Sequence, residues 1–243
     1  SLGQEVLVYD KDAQRMENLV NKYKVSCYDF KSHHLPIDAF VICTPPQYHI
    51  PFAFEALEHN SNIFIEKPLS HNMDRVDELI IRVKELSRVA MVGYQFRFNK
   101  ELENIQDFIS KVQIKVPLGI LSIKAEFGQY LPDWHPNEDY RKLYTTKKEG
   151  GGIILDASHE IDYVCWLAGS KVKRVSCFAN KLSWLDMEAE DIAEILLEFE
   201  SGTLASIHVD CIQEKYIREC KVLFGKSTIG WNWNKATQVM YLI

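Results

Sequence analysis

The stretch AFVICTPPQYHIPFAFEALEHNSNIFIEKP, residues 39–68, carries the pattern that decides the fold. It begins with a continuous apolar run at 39–44, continues through a helical pattern at 47–58, and ends in a β-branched and aromatic run at 62–66. A continuous apolar run is typical of a strand that is covered on both faces, and two such strands joined by a helix form a parallel βαβ unit. The stretch therefore predicts an α/β domain built on a parallel sheet.

The same alternation of strand and helix patterns runs through the first part of the chain. Strand patterns lie at 5–9 and 89–94, and helical patterns lie at 12–23 and 72–87. Repeated units of this kind predict a doubly wound, Rossmann-type parallel sheet. We place this domain at residues 1–95.

Residues 96–243 follow a different pattern, which predicts an α+β domain. Apolar and polar residues alternate at 119–130, and 190–212 has the pattern of a hairpin with a glycine-containing turn. A helix is expected at 157–169, after a glycine triplet at 150–152 that would allow close approach of backbone or act as a flexible joint. The whole predicts an open, mostly antiparallel sheet with one face left to cover, so we expect a homodimer or homotetramer through that sheet.

The composition is that of a globular protein. Of the 243 residues, 47% are hydrophobic and 26% are charged, which argues against a disordered chain. The net charge of −6 gives no support for binding to nucleic acid or to an anionic membrane. No apolar run approaches the roughly 20 residues of a membrane span. The six cysteines form no CxxC pair, which indicates reduced thiols in a cytoplasmic protein, and we expect no metal site.

Polar residues follow three of the predicted parallel strands, at the edge where ligands bind in doubly wound sheets. Asp10 follows the first of these strands. An acidic residue there would hydrogen-bond a ribose 2′-hydroxyl and repel a 2′-phosphate, which favours NAD over NADP. The alternative is that Asp10 begins a turn or caps the next helix.

The other two strand ends carry proline. Thr44-Pro45-Pro46 stops one strand, and this rigid loop would form a wall against a cofactor or serve only as a strand terminator. Glu66-Lys67-Pro68 stops the next strand. A partly desolvated lysine there would donate to a reacting oxygen, and the alternative is a salt-bridged turn residue.

Four segments together resemble the Gfo/Idh/MocA oxidoreductase family, which includes glucose–fructose oxidoreductase and inositol dehydrogenases. In chain order they are TPPQYH, EHNSNIFIEKPLS, MVGYQFRF and GGGIILDASHEIDYVCWLAG. The resemblance implies an amino-terminal Rossmann domain that binds NAD or NADP and a second domain that carries the substrate site. Hydride would pass between the nicotinamide and a hydroxyl or keto group of a sugar, polyol or nucleotide-sugar.

The resemblance also implies roles for individual residues. Lys67 matches the active-site lysine and His159 matches the proposed acid/base. Asp156 precedes His159 by three positions, whereas the common family pattern has four. The catalytic role that the resemblance implies is therefore assigned more directly to His159 than to Asp156. Asp162, one turn beyond His159, would orient it or be structural. The implied cofactor-binding positions are Asp10, Thr44, Pro45, Pro46, His49, Glu66, Lys67 and Pro68.

The segment GQYLPDWHPNEDYRKLY, residues 128–144, is the candidate for substrate specificity. Trp134, His135, Tyr140 and Arg141 would stack on a sugar or pair with a phosphate. A surface loop or a subunit contact is an equal alternative.

The beginning of the chain departs from the family pattern. The glycine-rich turn that cradles the pyrophosphate is not found in SLGQEVLVYD, and the chain stops within a strand pattern, QVMYLI. We therefore expect a Rossmann sheet without its first strand and glycine loop, in a chain that is incomplete at both ends and by itself binds NAD poorly or not at all. The alternative to an enzyme is a non-catalytic family member, either a ligand sensor or a truncated pseudoenzyme.

Overall fold

The computed structural model describes residues 3, 5–29, 36–113, 119–225, 227–233 and 240–241. The chain divides into two compact units, residues 1–38 and residues 39–243. None of the helices in the described ranges is both long and apolar enough to cross a membrane.

The first unit is a small parallel βαβ unit. Strands β1 (Leu7–Val8) and β2 (Ser26–Cys27) pair in parallel, and helix α1 (Ala13–Tyr23) connects them. The side chain of Asp12 accepts a hydrogen bond from the Arg15 amide at 3.0 Å, which satisfies one of the free N–H groups at the start of α1. The predicted strand and helix are both present here, whereas the two-residue β2 was too short to give a sequence signal.

The second unit opens with the parallel sheet that the sequence predicts. Strands β3 (Ala39–Ile42), β4 (Asn62–Ile65) and β5 (Ala90–Val92) lie side by side in that order, and both pairs are parallel. Helix α2 (His49–Glu58) connects β3 to β4, and helix α3 (Val76–Glu85) connects β4 to β5. The parallel sheet predicted from residues 39–68 is confirmed.

Helix α2 packs on this sheet through an apolar face with small residues at its centre. Ile50, Ala53, Ala56 and Leu57 are buried at helical spacing, and the two alanines are fully inaccessible to solvent. In the sheet beneath, Ile65 is 1% exposed, and burying a side chain of that size contributes about 1.5–3 kcal/mol. This packing holds the ends of β3 and β4 at one edge of the sheet.

A larger, open sheet forms most of the second unit. Its order is β12-β11-β10-β6-β9-β8-β7, and every neighbouring pair is antiparallel except β6 and β9. The predicted open, mostly antiparallel sheet is therefore confirmed. The boundary placed near residue 95 stays a prediction, since both sheets lie in the second unit. The strands are β6 (Ile120–Gly128), β7 (Val172–Asn180), β8 (Ile192–Phe199), β9 (Leu204–Asp210), β10 (Ile217–Phe224), β11 (Ser227–Asn232) and β12 (Met240–Tyr241).

Three helices accompany the larger sheet. They are α4 (Lys100–Gln113), α5 (Ile153–Asp156) and α6 (Ser158–Ala168). The single helix predicted at 157–169 is preceded by the one-turn α5, and Ala157, with φ −90° and ψ 24°, separates the two. Because of this break, Asp156 and His159 do not lie on one continuous helix, and helical spacing does not fix the direction of one side chain relative to the other.

The glycine triplet serves close packing of backbone. A Cβ atom on Gly151 would come within 2.8 Å of three carbonyl oxygens, those of Tyr144, Thr145 and Lys147. Real Cβ atoms do not approach backbone that closely, so only glycine fits. Gly151 therefore lets the turn at 144–147 lie directly against the segment that leads into α5.

Replacing Gly151 with alanine is expected to destabilise the protein by about 1–3 kcal/mol, because the new methyl group overpacks a site walled by backbone. For a chain of this size that corresponds to a fall in Tm of several degrees. Thermal unfolding followed by circular dichroism measures it. Gly230→Ala is the matched control, since neither glycine has a positive φ and a Cβ on Gly230 meets its nearest atom at an ordinary 3.5 Å. Equal melting temperatures for the two variants would contradict the close-packing role.

Candidate active site

Lys67 lies just beyond the end of β4 and reaches across to Asp156, the last residue of α5. Its Nζ donates to the backbone carbonyl of Asp156 at 2.8 Å and to the Asp156 Oδ1 at 2.9 Å. The Lys67 and Asp156 side chains are 17% and 11% exposed, so the ion pair is shielded but not sealed from solvent. Glu66 does not pair with the Lys67 ammonium; its Oε2 accepts from the Lys67 amide at 2.9 Å. The peptide bond between Lys67 and Pro68 is cis.

Asp156 is surrounded by donors. Besides Lys67, the Tyr144 hydroxyl donates to its Oδ1 at 3.0 Å and the Thr145 hydroxyl donates to its Oδ2. Burial raises the pKa of Tyr144 well above its usual value, and the Asp156 charge adds to the shift, so the phenol remains a donor. These contacts fix the Asp156 carboxylate and, through it, the position of the Lys67 ammonium.

Sequence reasoning missed Tyr144 and Thr145. Tyr144 is the last residue of the segment predicted to govern substrate specificity, and that aromatic, charged segment is the signal that could have pointed to it. No regular spacing along the chain connects either residue to Asp156. The turn at 144–147 lies close to α5 because Gly151 lets the two pieces of backbone pack directly against each other.

His159 lies in the first turn of α6 and is 5% exposed. The rings of Tyr94 and Phe96 pack edge-on around it, with centroid distances of 5.8 Å and 4.9 Å. Burial, together with the positive charges of Lys67 and Arg218, lowers the pKa of His159 to about 3. Its Nδ1 is buried and has no hydrogen-bond partner in the described part of the chain. The imidazole is therefore neutral at ordinary pH and carries a ring nitrogen that protein groups leave unused.

Asp162 does not contribute to the orientation of His159. Its two carboxylate oxygens accept from Nε and an Nη of Arg97, each at 2.8 Å. This bidentate pair joins α6 to the segment that follows β5. Of the two roles predicted for Asp162, the structure supports the structural one.

The cofactor-side loop after β3 is tied to the loop after β4 by His49. The ring is 1% exposed, with Nδ1 2.8 Å from the Pro68 carbonyl oxygen and Nε2 2.7 Å from the Thr44 carbonyl oxygen. Pro46 is buried in the first turn that leads to α2, and Pro45 precedes it in an extended conformation. Since both ring nitrogens of His49 face backbone carbonyls, any part that it plays in cofactor binding is exerted through the two loops that it joins.

Two polar atoms in the same loop are buried without a partner. The Thr44 Oγ1 and the Gln47 Oε1 are inaccessible to solvent and make no hydrogen bond among the described residues. An unsatisfied buried polar group costs about 1–3 kcal/mol. Both lie where β3 ends, at the edge where doubly wound sheets bind ligands, so these residues fit a dinucleotide cofactor that supplies the missing partners.

Asp10 lies in the first unit, two residues after the end of β1. Its Oδ1 accepts from the Asp12 amide at 2.9 Å, and its Oδ2 lies 3.7 Å from Arg15. The carboxylate thus begins the turn that leads into α1, which is one of the two roles predicted for it. Its role towards a ribose stays a prediction.

Three of the side chains proposed for substrate recognition already contact other protein groups. The Trp134 indole donates to a backbone carbonyl of the same segment at 3.1 Å, and the Tyr140 hydroxyl accepts from the Asp186 amide at 3.1 Å. The Arg141 guanidinium pairs with both Asp139 oxygens, at 2.7 Å and 2.9 Å, and is exposed. Their substrate-binding role stays a prediction, and two of the five side-chain N–H groups of Arg141 already pair with Asp139.

Two family models match most of the chain. Residues 119–229 match the GFO/IDH/MocA C-terminal domain, and residues 2–94 match the oxidoreductase family with an NAD-binding Rossmann fold. The chain belongs to the Gfo/Idh/MocA family. The resemblance carried by the EKP triplet and the GGG-to-helix segment is thereby confirmed, together with the Rossmann-type and mixed-sheet architecture.

Characterised relatives include inositol dehydrogenases. The chain is 28% identical over 208 residues to the uncharacterized oxidoreductase YrbE of Bacillus subtilis, covering 82% of this chain and 58% of that protein. It is 27% identical over 177 residues to the myo-inositol 2-dehydrogenase of Thermotoga maritima, covering 70% and 49%. The chain thus spans about half of the length of these family members.

Solved structures of the family share the fold. The WlbA dehydrogenase of Bordetella pertussis, in complex with NADH and UDP-GlcNAcA, superposes with a TM-score of 0.81 at 21% identity, covering 93% of this chain and 65% of that one. An inositol dehydrogenase homolog of Azotobacter vinelandii, in complex with NADH and myo-inositol, gives a TM-score of 0.76 at 18% identity, covering 92% and 61%. At these identities the likeness establishes the fold alone.

Proposed function

We propose that this protein is an NAD-dependent oxidoreductase that transfers a hydride between the nicotinamide and a hydroxyl or keto group of a sugar, polyol or nucleotide-sugar. The observation that carries the proposal is the meeting of Lys67 and Asp156, which are far apart in the chain, beside the neutral, buried His159. A positioned cation next to a neutral base is the arrangement that oxidation of an alcohol requires.

Lys67 acts on the substrate oxygen. Two of its three N–H groups are directed to Asp156, and the third remains to donate to a hydroxyl or carbonyl oxygen. Negative charge grows on that oxygen as the alcohol loses its proton, so the ammonium stabilises the transition state more than the ground state.

His159 takes the proton. A neutral imidazole has a lone pair to accept it, and the Nδ1 that no described residue engages is available for that purpose or for a relay. The pKa of about 3 belongs to the site without substrate. A developing alkoxide beside the ring favours the imidazolium, which raises the proton affinity at the moment when it is needed.

The loops after β3 and β4 would hold the cofactor, which accepts or supplies the hydride when it is bound. Thr44 and Gln47 offer buried polar atoms for it, and His49 keeps the two loops in register. The family resemblance also assigns Asp10 to the ribose of the cofactor, a role that would favour NAD over NADP.

The substrate class is proposed from two sources. The site's own groups, a lysine, a histidine and hydroxyl donors, suit a polyhydroxylated molecule. The structural neighbours named above were solved with myo-inositol and with UDP-GlcNAcA, and both ligands are rings that carry several polar groups.

We also propose that the protein self-associates through the outer face of the larger sheet. Phe178, Leu196 and Leu204 are 74%, 54% and 56% exposed and share that face by the strand register. Exposed apolar residues grouped on one sheet face favour burial against a second copy.

The function is tested with protein expressed from its complete gene. Reduction of NAD is followed by the absorbance of NADH, with myo-inositol and UDP-N-acetylglucosaminuronate as the first substrates. Turnover that is lost in Lys67→Ala supports the proposal. Binding of cofactor or sugar without turnover by any substrate supports the ligand sensor instead, and binding of neither supports the pseudoenzyme.

A further inference from the structure

Arg218 is held in an aromatic sandwich on the inner face of the larger sheet. Its guanidinium carbon lies 4.1 Å from the ring centroid of Phe127 and 4.8 Å from that of Phe96. Two rings that face a planar cation restrict both its position and the direction of its donors. Arg218 is thus pre-organised in a way that a surface arginine is not.

The charge of Arg218 is only partly compensated by Glu160. The Arg218 Nε lies 2.8 Å from Oε1 of Glu160, which is completely buried. The contact is an ion pair without hydrogen-bond alignment, and neither Glu160 oxygen has an aligned donor among the described residues. Burial raises the pKa of Glu160 to about 7, against the opposing effect of Arg218. Burial thus opposes the charged form of the carboxyl, which weakens its hold on Arg218.

Arg218 lies beside the proposed catalytic residues. Phe96 touches both the His159 ring, at 4.9 Å between centroids, and the Arg218 guanidinium. Glu160 directly follows His159 in α6, and the charge of Arg218 is one of the causes of the lowered pKa of His159. The Arg218 side chain is 14% exposed, so it is not fully closed off from solvent.

We propose that Arg218 determines substrate specificity by binding an oxyanion, a carboxylate or a phosphate, carried by the sugar that reacts at Lys67 and His159. The inference rests on the proposed function, because it assigns a substrate group to the same site. The guanidinium fork matches both oxyanions in a bidentate manner. Arg141 is the residue that the sequence suggested for a phosphate, but Asp139 occupies one edge of its guanidinium and the side chain is exposed to solvent.

The test compares the binding of matched neutral and anionic sugars by calorimetry. The probes are glucose with glucuronate for the carboxylate arm and glucose with glucose 6-phosphate for the phosphate arm. The unmodified protein is expected to bind at least one anionic member about 10- to 100-fold more tightly than its neutral counterpart. Arg218→Met abolishes the preference and Arg218→Lys retains part of it. Tighter binding of glucuronate indicates that the oxyanion is a carboxylate, and tighter binding of glucose 6-phosphate indicates that it is a phosphate.

Glu160→Gln provides the independent variant, since it removes the group that competes for Arg218 and leaves the shape unchanged. It is expected to tighten binding of the anionic sugar, a result that a purely structural ion pair would not produce. If Arg218→Met does not fold, the other two variants replace it. Arg218→Lys is expected to weaken binding of the anionic sugar, and Glu160→Gln is expected to strengthen it. The proposal is overturned if no matched pair shows a preference in the unmodified protein, or if the full preference survives in Arg218→Met or, should that variant not fold, in Arg218→Lys. Binding is measured without turnover, so failure of hydride transfer alone rejects the proposed function and leaves this comparison valid.

Discussion

Lys67→Ala is expected to lower kcat by roughly 100- to 1,000-fold, the usual cost of removing one donor from a developing oxyanion. The effect falls on kcat because the ammonium gains most of its interaction energy as charge appears on the substrate oxygen. Affinity for NADH, measured by fluorescence titration, is expected to change little, since the loop after β3 and His49 remain. Steady-state kinetics on the protein from its complete gene provides the measurement.

Two further variants control this experiment. Lys84→Ala removes an exposed lysine from α3 and is expected to leave kcat unchanged. Lys67→Arg keeps the charge but replaces a compact ammonium with a planar fork, so it is expected to recover only part of the rate. Turnover that survives intact in Lys67→Ala would remove Lys67 from the proposed mechanism.

His159→Gln is expected to reduce kcat/KM by roughly 100- to 10,000-fold, the range for loss of a general acid or base. The amide keeps a polar group of similar size but does not take up a proton. Because the pKa of His159 is lowered to about 3, the base is neutral above that value, and protonation removes it only as the pH falls towards 3. The acid limb of the kcat/KM profile is therefore expected well below the 6.5 of an ordinary histidine, and it should be absent from the residual activity of the variant.

The same pKa has a consequence for stability. A histidine whose folded pKa lies below its unfolded value binds more protons when unfolded, so its contribution to stability is present above about pH 6.5 and is lost as the pH falls towards 3. Between pH 4 and pH 7 the melting temperature of His159→Gln is expected to vary less than that of the unmodified protein. His59→Gln, at the far end of α2, serves as the matched histidine control. An acid limb of kcat/KM near pH 6.5 would show that His159 is not held neutral by burial.

Local patterns account for most of the secondary structure. The predicted bounds of β3, β4 and α2 agree with the structure to within a few residues. Each of these elements buries a regular face, which produces a periodic pattern of apolar residues in the local sequence. The two-residue β2 and the break at Ala157 were not found. A pair of residues has no period, and the position of Ala157 follows from what α5 and α6 each pack against.

The amino-acid sequence by itself determined the parallel and mixed sheets, the family, and Lys67 and His159 as the residues to examine. Each of these rests on a short pattern or on a motif that is contiguous in the chain. Only the tertiary structure decided that Lys67 meets Asp156, that Tyr144 and Thr145 complete that contact, and that Arg218 rather than Arg141 stands beside His159. Lys67 and Asp156 are 89 positions apart, and the contact between them depends on how a loop, a glycine turn and a helix pack, which no spacing along the chain encodes.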